Sequence, residues 1–190
     1  MLAKFIEGWV APYRDRLLQS GKPLVLSEWG VSRQANSADM VNSILWGGIA
    51  IGSSGGGLAW TDKYTYGSFT AAQYDITRNL KSFASTVNWV GFMDNHHASS
   101  TEITDNVSAV NTFGCLNKSQ AIVLVVQNRV GSSTAATVTI KGLNPGTYTV
   151  DIWRTYGGRQ YGTLTLSTNA QGALVVPTPA IPTMQCLYVH

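Results

Sequence analysis

One glutamate in the chain stands where a buried strand should stop. Leu24-Val25-Leu26 is a short apolar run that breaks off on Ser27-Glu28-Trp29-Gly30. Gly21 closes what precedes it and Pro23 opens the run, so the stretch reads as a strand buried on both faces. Its C-terminal tip then presents the Glu28 carboxylate beside the Trp29 indole. In parallel (β/α) architectures that end of the strands carries the chemistry. Glu28 is therefore the first candidate for a nucleophile or proton-transfer group; the structural alternative is a glutamate that caps a loop or pairs with Arg33.

A second short run, Gly57-Leu58-Ala59-Trp60-Thr61, ends in the same manner on Asp62, followed by Tyr64, Tyr66 and Phe69. Trp29, Trp60 and Tyr64 offer aromatic faces, for which core packing is the alternative. Asp62 either bonds a ligand hydroxyl or caps a loop. His96-His97 is the histidine pair, and neighbours in an extended chain point apart. With no third ligand at hand they read as a surface loop, so no metal is expected. Gly52-Ser53-Ser54-Gly55-Gly56 fits Gly-x-Ser-x-Gly, which makes a serine esterase using Ser54, with His96 or His97 as base, an alternative reading. That elbow requires strand, sharp turn, helix, and the order here is helix, loop, strand.

The elements that must carry these residues follow from periodicity. Residues 2–20 repeat Phe5, Trp9, Tyr13 and Leu17 every fourth position, with Ile6 and Val10 widening the stripe. Pro12 should kink that helix or begin another. A second helix is expected from Asp39, with Met40, Ile44, Leu45 and Ile49 on its apolar side and Trp46 packing; Gly52 to Gly57 ends it. A third is expected over residues 72–87, with Tyr74, Leu80 and Phe83 inward, and Trp89 and Val90 close the unit. Beyond residue 99 the period changes to two. Seven strands are expected at 107–116, 121–128, 136–143, 147–154, 161–167, 173–176 and 184–189, punctuated by Asn144-Pro145-Gly146 and Tyr156-Gly157-Gly158-Arg159. The expected fold is an α/β segment over residues 1–90 and an antiparallel β-sandwich over residues 91–190, divided at Gly91 to Ser100.

Composition narrows the partners. At 190 residues the chain has length for one large domain or two small ones, and 44% hydrophobic against 12% charged residues is wrong for disorder. The net charge of +3 contains no basic block, so neither nucleic acid nor an acidic membrane is expected as a partner. No apolar run reaches membrane-spanning length, and residues 1–9 lack the features of a signal peptide. Low charge with abundant Ser, Thr, Gly, Asn, Trp and Tyr leans toward secreted, carbohydrate-active proteins. Cys115 and Cys186 either pair in an oxidising compartment or sit as buried thiols.

The order of these parts resembles a known family. A helix, Lys22-Pro23-Leu24-Val25-Leu26-Ser27-Glu28-Trp29-Gly30, a helix, Gly56-Gly57-Leu58-Ala59-Trp60, a helix, Trp89 and then a sandwich is similar to the C-terminal end of retaining glycoside hydrolases. The clan is that of (β/α)8 barrels with two catalytic glutamates, including cellulases and mannanases. The resemblance implies that residues 1–90 are the last strands and helices of the barrel, that Glu28 is the nucleophile on the seventh strand, and that Trp60 lines a sugar subsite at the end of the eighth. Trp29, Asp62 and Tyr64 would join it in holding substrate. It implies an oligo- or polysaccharide partner, no cofactor and a secreted parent protein. The family's acid/base lies on the fourth strand, and nothing in this chain corresponds to it. Two strands also cannot close a barrel, so a C-terminal fragment with open, self-associating strand edges is expected. A fragment that binds carbohydrate without cutting it is the non-catalytic alternative.

Overall fold

The computed structural model describes residues 10–20, 28–29, 37–53, 58–59, 70–127, 133–157, 160–181 and 183–190, with the backbone alone at 28–29 and 58–59. Three helices appear among them: α1 (Ala11–Gln19), α2 (Ala38–Ala50) and α3 (Ala71–Ala84). The strands are β1 (Glu28–Trp29), β2 (Leu58–Ala59), β3 (His96–His97), β4 (Ile103–Asp105), β5 (Val110–Leu116), β6 (Ala121–Gln127), β7 (Thr134–Lys141), β8 (Thr147–Arg154), β9 (Gln160–Ser167), β10 (Ala173–Ile181) and β11 (Met184–Val189). β1 and β2 pair with each other. The rest form a six-stranded sheet, β3-β5-β6-β11-β8-β9, and a three-stranded sheet, β10-β7-β4.

The six-stranded sheet is the middle layer. One face carries Val123, Val125, Val150, Ile152, Leu187 and Val189, which pack against Val138, Ile140, Leu174 and Val176 of the three-stranded sheet. The other carries Phe113, Cys115, Ile122, Leu124, Trp153, Cys186 and Tyr188, packed against Val41, Ile44, Trp46 and Ile49 of α2 and Ile76, Leu80 and Phe83 of α3. Strands covered on both faces need apolar residues at every position. Ala121 to Val126 has that composition, and β11, apolar but for Gln185, is buried throughout. β7, with one face open, alternates instead. The cluster between the helices and the sheet thus joins residues from before and after the 91–100 stretch in one core.

All seven expected sandwich strands are present, and β3 and β4 are additions to them. β10 runs on to Ile181 through Pro177 and Pro179, past its expected end at Val176. It is an edge strand, where a missing N–H can face away from the ladder. The helices shift in detail. Ser37 caps α2, accepting from Met40 N at 3.2 Å. Thr70 and Gln73 form a capping box on α3. Tyr74, expected inward, is 54% exposed, because Ile76, Leu80 and Phe83 set the buried stripe on the other side of α3. Tyr13 likewise faces solvent while Arg14 turns in, and Val90 is exposed rather than closing a core. Cys115 and Cys186 are free thiols, both buried. No helix among the described residues is long and apolar enough to cross a membrane.

Candidate active site

β1 and β2 run parallel, with Glu28 opposite Leu58 and Trp29 opposite Ala59. Parallel neighbours need a crossover connection, which α2 supplies here. Glu28 therefore lies on the last described strand residues before the chain departs toward α2. Trp60 is the next residue in sequence after the end of β2. The pairing puts the ends of the two motif-bearing strands side by side. The side chains of Glu28 and Trp29, and the whole of Trp60, Asp62, Tyr64 and Ser54, lie outside the described residues.

The helix between the two strands is held from the sandwich. Asn42, one turn into α2 and 2% exposed, donates from Nδ2 to Thr155 Oγ1 at 2.8 Å. Thr155 in turn donates to Met184 O at 3.1 Å, so its hydroxyl is satisfied in both directions. The next residue, Tyr156, donates its hydroxyl to Asp39 Oδ1 in the first turn of α2. Burial, then the hydrogen bond and charge of Asp39, push the Tyr156 phenol well above its ordinary range, so it stays a donor at any physiological pH. Gly157 follows at φ 77°, a left-handed turn position that favours glycine.

A second clasp ties α1 to the start of the sandwich. Arg14 is 1% exposed and donates to Asn95 O at 2.6 Å, to Asn95 Oδ1, to Gly52 O at 3.4 Å and to Asp15 Oδ1 at 2.9 Å. A buried guanidinium requires this density of acceptors. Gly52 has φ 73°, and a Cβ there would come within 2.6 Å of Arg14 Nη2. Neither Arg14 nor the Thr155–Tyr156 pair carries a sequence signal, since their partners are far away along the chain.

His96 and His97 form β3 on the edge of the main sheet, opposite Leu116 and Cys115, rather than a free surface loop. Their rings diverge as strand neighbours must. His96 Nε2 meets Glu102 Oε1 at 2.9 Å, while His97 Nε2 is buried with no hydrogen-bond partner. Burial lowers the His97 pKa; Asp15 opposes the shift, and Arg14 and His96 add to it. Glu102 accepts from Ser99 N and Ser99 Oγ, each at 2.8 Å. Burial works to raise its pKa, but the Ser99 and His96 hydrogen bonds outweigh it and leave the carboxyl below its usual value. That glutamate is committed to the β3–β4 turn. Among the described residues no three His, Cys, Asp or Glu side chains gather to hold a metal ion.

A separate concavity of about 320 Å³ opens between β4 and β5, lined by Ser99, Thr104, Asp105, Asn111, Thr112 and Phe113 among others. Asp105 Oδ2 accepts from Thr112 Oγ1 at 3.0 Å there.

No protein-family model matches the chain, and no curated protein matches it. Solved structures do. The glycoside hydrolase family 30 subfamily 8 xylanase from Clostridium acetobutylicum superposes with a TM-score of 0.50 at 11% identity, over 91% of this chain and 44% of that one. This protein has a glycoside-hydrolase-like fold. The GH30 endoxylanase from Clostridium papyrosolvens gives a TM-score of 0.49 at 11% identity, over 94% of this chain and 44% of that one. The GH39 enzyme from Xanthomonas axonopodis pv. citri gives 0.48 at 12% identity, over 97% and 48%. The chain spans less than half the length of each of these three structures.

Proposed function

We infer that this chain carries the nucleophile strand and the following strand of a retaining glycoside hydrolase, with Glu28 as nucleophile. The observation that carries the reading is the parallel β1–α2–β2 unit with Glu28 on its first strand, in a chain of glycoside-hydrolase-like fold. Retention requires two carboxyls about 5–5.5 Å apart. Glu28 attacks the anomeric carbon as the glycosidic bond breaks, and a second carboxyl protonates the departing oxygen. Water activated by that second carboxyl then releases the sugar and frees Glu28. Glu102 is engaged in the β3–β4 turn, so the acid/base is a further residue of this chain or of another subunit, or the substrate carries an activated leaving group. Trp29, Trp60 and Tyr64 stack on sugar rings, and Asp62 bonds a hydroxyl. No metal or organic cofactor enters this chemistry. The parent protein is secreted, and the outer edges of β1 and β2, which pair with no other described strand, promote association with further strands.

The substrate class is a β-linked glycan. One resembling structure is described as a xylanase, which makes β-xylosides the first substrates to try. The experiment compares the chain with Glu28→Gln on dinitrophenyl β-xyloside and β-glucoside, whose leaving groups need little acid assistance. A burst or turnover lost in Glu28→Gln supports the reading; equal rates in both proteins contradict it.

The cleft between β4 and β5 favours a second reading, carbohydrate binding without cleavage, because it sets the Asp105 carboxylate beside the Asn111 amide and the Thr104 hydroxyl. Xylohexaose binding by calorimetry that survives Glu28→Gln and is lost in Asn111→Ala would select it.

A further inference from the structure

The chain leaves β1 at Trp29 and resumes a described course at Ser37, the cap of α2. Seven residues intervene, Gly30 to Asn36, and they lead into the fixed N-terminus of α2. The first turns of α2 are gripped by two consecutive residues of the β8–β9 turn. Thr155 takes the Asn42 amide, and Tyr156 bonds the Asp39 carboxylate. Asp39 and Asn42 are three apart and so share one side of the helix, the side turned to the sandwich. The two bonds differ in kind. The Thr155 bond is buried and its hydroxyl is anchored on Met184 O, so it belongs to the core. The Tyr156 bond lies at an exposed carboxylate in the first helical turn, beside a left-handed Gly157. The Tyr156 ring packs at the edge of the helix-facing core; its hydroxyl adds this second contact, which restrains the N-terminal end of α2.

We propose that the β8–β9 turn is a positioning element for the N-terminal end of α2, acting through Tyr156 on Asp39. Its catalytic consequence rests on the reading of Glu28 as nucleophile; its structural consequence does not. Tyr156 touches no reacting atom and acts only through α2. The sandwich thereby does more than cover the helices: it holds the N-terminal end of α2.

The test compares wild type with Tyr156→Phe, which removes one hydroxyl and keeps the ring, and with Asp39→Asn, which keeps an acceptor for it. Amide hydrogen exchange reads the Met40 and Val41 N–H groups, bonded to Ser37 Oγ and Ser37 O. Tyr156→Phe is expected to speed their exchange about three- to tenfold, the loss of one hydrogen bond. Leu187 in the sheet centre is expected to stay unchanged, and Tm to fall by about 1–5 °C. Asp39→Asn is expected within about twofold of wild type, because the hydroxyl keeps its acceptor. On dinitrophenyl β-xyloside, kcat/KM of Tyr156→Phe is expected to fall by a similar three- to tenfold factor. Equal Met40 and Val41 exchange in Tyr156→Phe and wild type overturns the proposal, whatever the activity. Faster exchange accompanied by an equal rise at Leu187 overturns it too, since that is global destabilisation. Absence of turnover in wild type counts against the glycosidase reading alone, and the amides still decide this one.

Discussion

Phe83 is the residue through which the helices and the sandwich share a core. It is fully buried on α3, with its ring 5.0 Å from Trp46 of α2, 5.6 Å from Trp153 of β8 and 6.1 Å from Tyr188 of β11. The last two contacts are edge-on, the favourable geometry for aromatic pairs. Phe83→Ala removes the ring from a site bounded on three sides by rigid aromatics, which limits collapse into the void. Phenylalanine truncation in a core costs about 3–5 kcal/mol, and the loss of edge contacts places this one in the upper half, about 4–5 kcal/mol. For a chain of this length that lowers Tm by roughly 10–20 °C. The assay is a thermal melt followed in parallel by far-UV circular dichroism, which weights the sheets, and by tryptophan fluorescence, which reports Trp46 and Trp153 among the six tryptophans. Both signals should move together, because one apolar cluster spans the two halves. Two separate transitions, with the sheet signal of Phe83→Ala unshifted, would refute the shared core.

Further outcomes follow from individual groups. Gln185 is fully buried on β11 with neither Nε2 nor Oε1 bonded, so Gln185→Leu should stabilise the protein by about 1–3 kcal/mol in urea titration; a lower midpoint would show that the amide contributes to the fold. His97 binds its proton less readily when folded. The unfolded chain therefore takes up more protons below about pH 6.5, and stability is intact above that value and lost as pH falls through the lower folded pKa. Replacement by Gln should flatten the Tm profile below about pH 6.5, where a profile as steep as wild type would contradict the assignment. Burial pushes the Cys115 thiol up to about 12 and the Cys186 thiol well above its ordinary value, so a thiol reagent should label neither in the native protein and both in denaturant.

The parts of this architecture that are local in sequence are the parts that can be read from it. The sandwich strands follow from period-two runs and from turns such as Asn144-Pro145-Gly146. α2 and α3 follow from apolar spacing and from the caps at Ser37 and Thr70. The helices' seat on the sheet had a signal too: Ala121 to Val126 is apolar at every position, which only a strand covered on both faces needs. β3 and β4 escape because two or three residues, His-His and Ile-Thr-Asp, show no period. Tyr13 and Tyr74 mislead because an amphipathic ring at a helical spacing fits either face. At the candidate site, Glu28 is legible from the abrupt end of an apolar run. The Tyr156–Asp39 contact spans 117 residues and Arg14–Asn95 spans 81; no local pattern marks either.

The most direct test of the central claim is to trap the nucleophile. The chain would be incubated with dinitrophenyl 2-deoxy-2-fluoro-β-xyloside, whose fluorine slows release of the glycosyl-enzyme while the leaving group departs unaided. Intact mass and peptide mapping would follow. The account predicts one added fluoroxylosyl group on the peptide containing Glu28, absent from Glu28→Gln. An adduct on another residue, or none at any concentration that saturates binding, would contradict it.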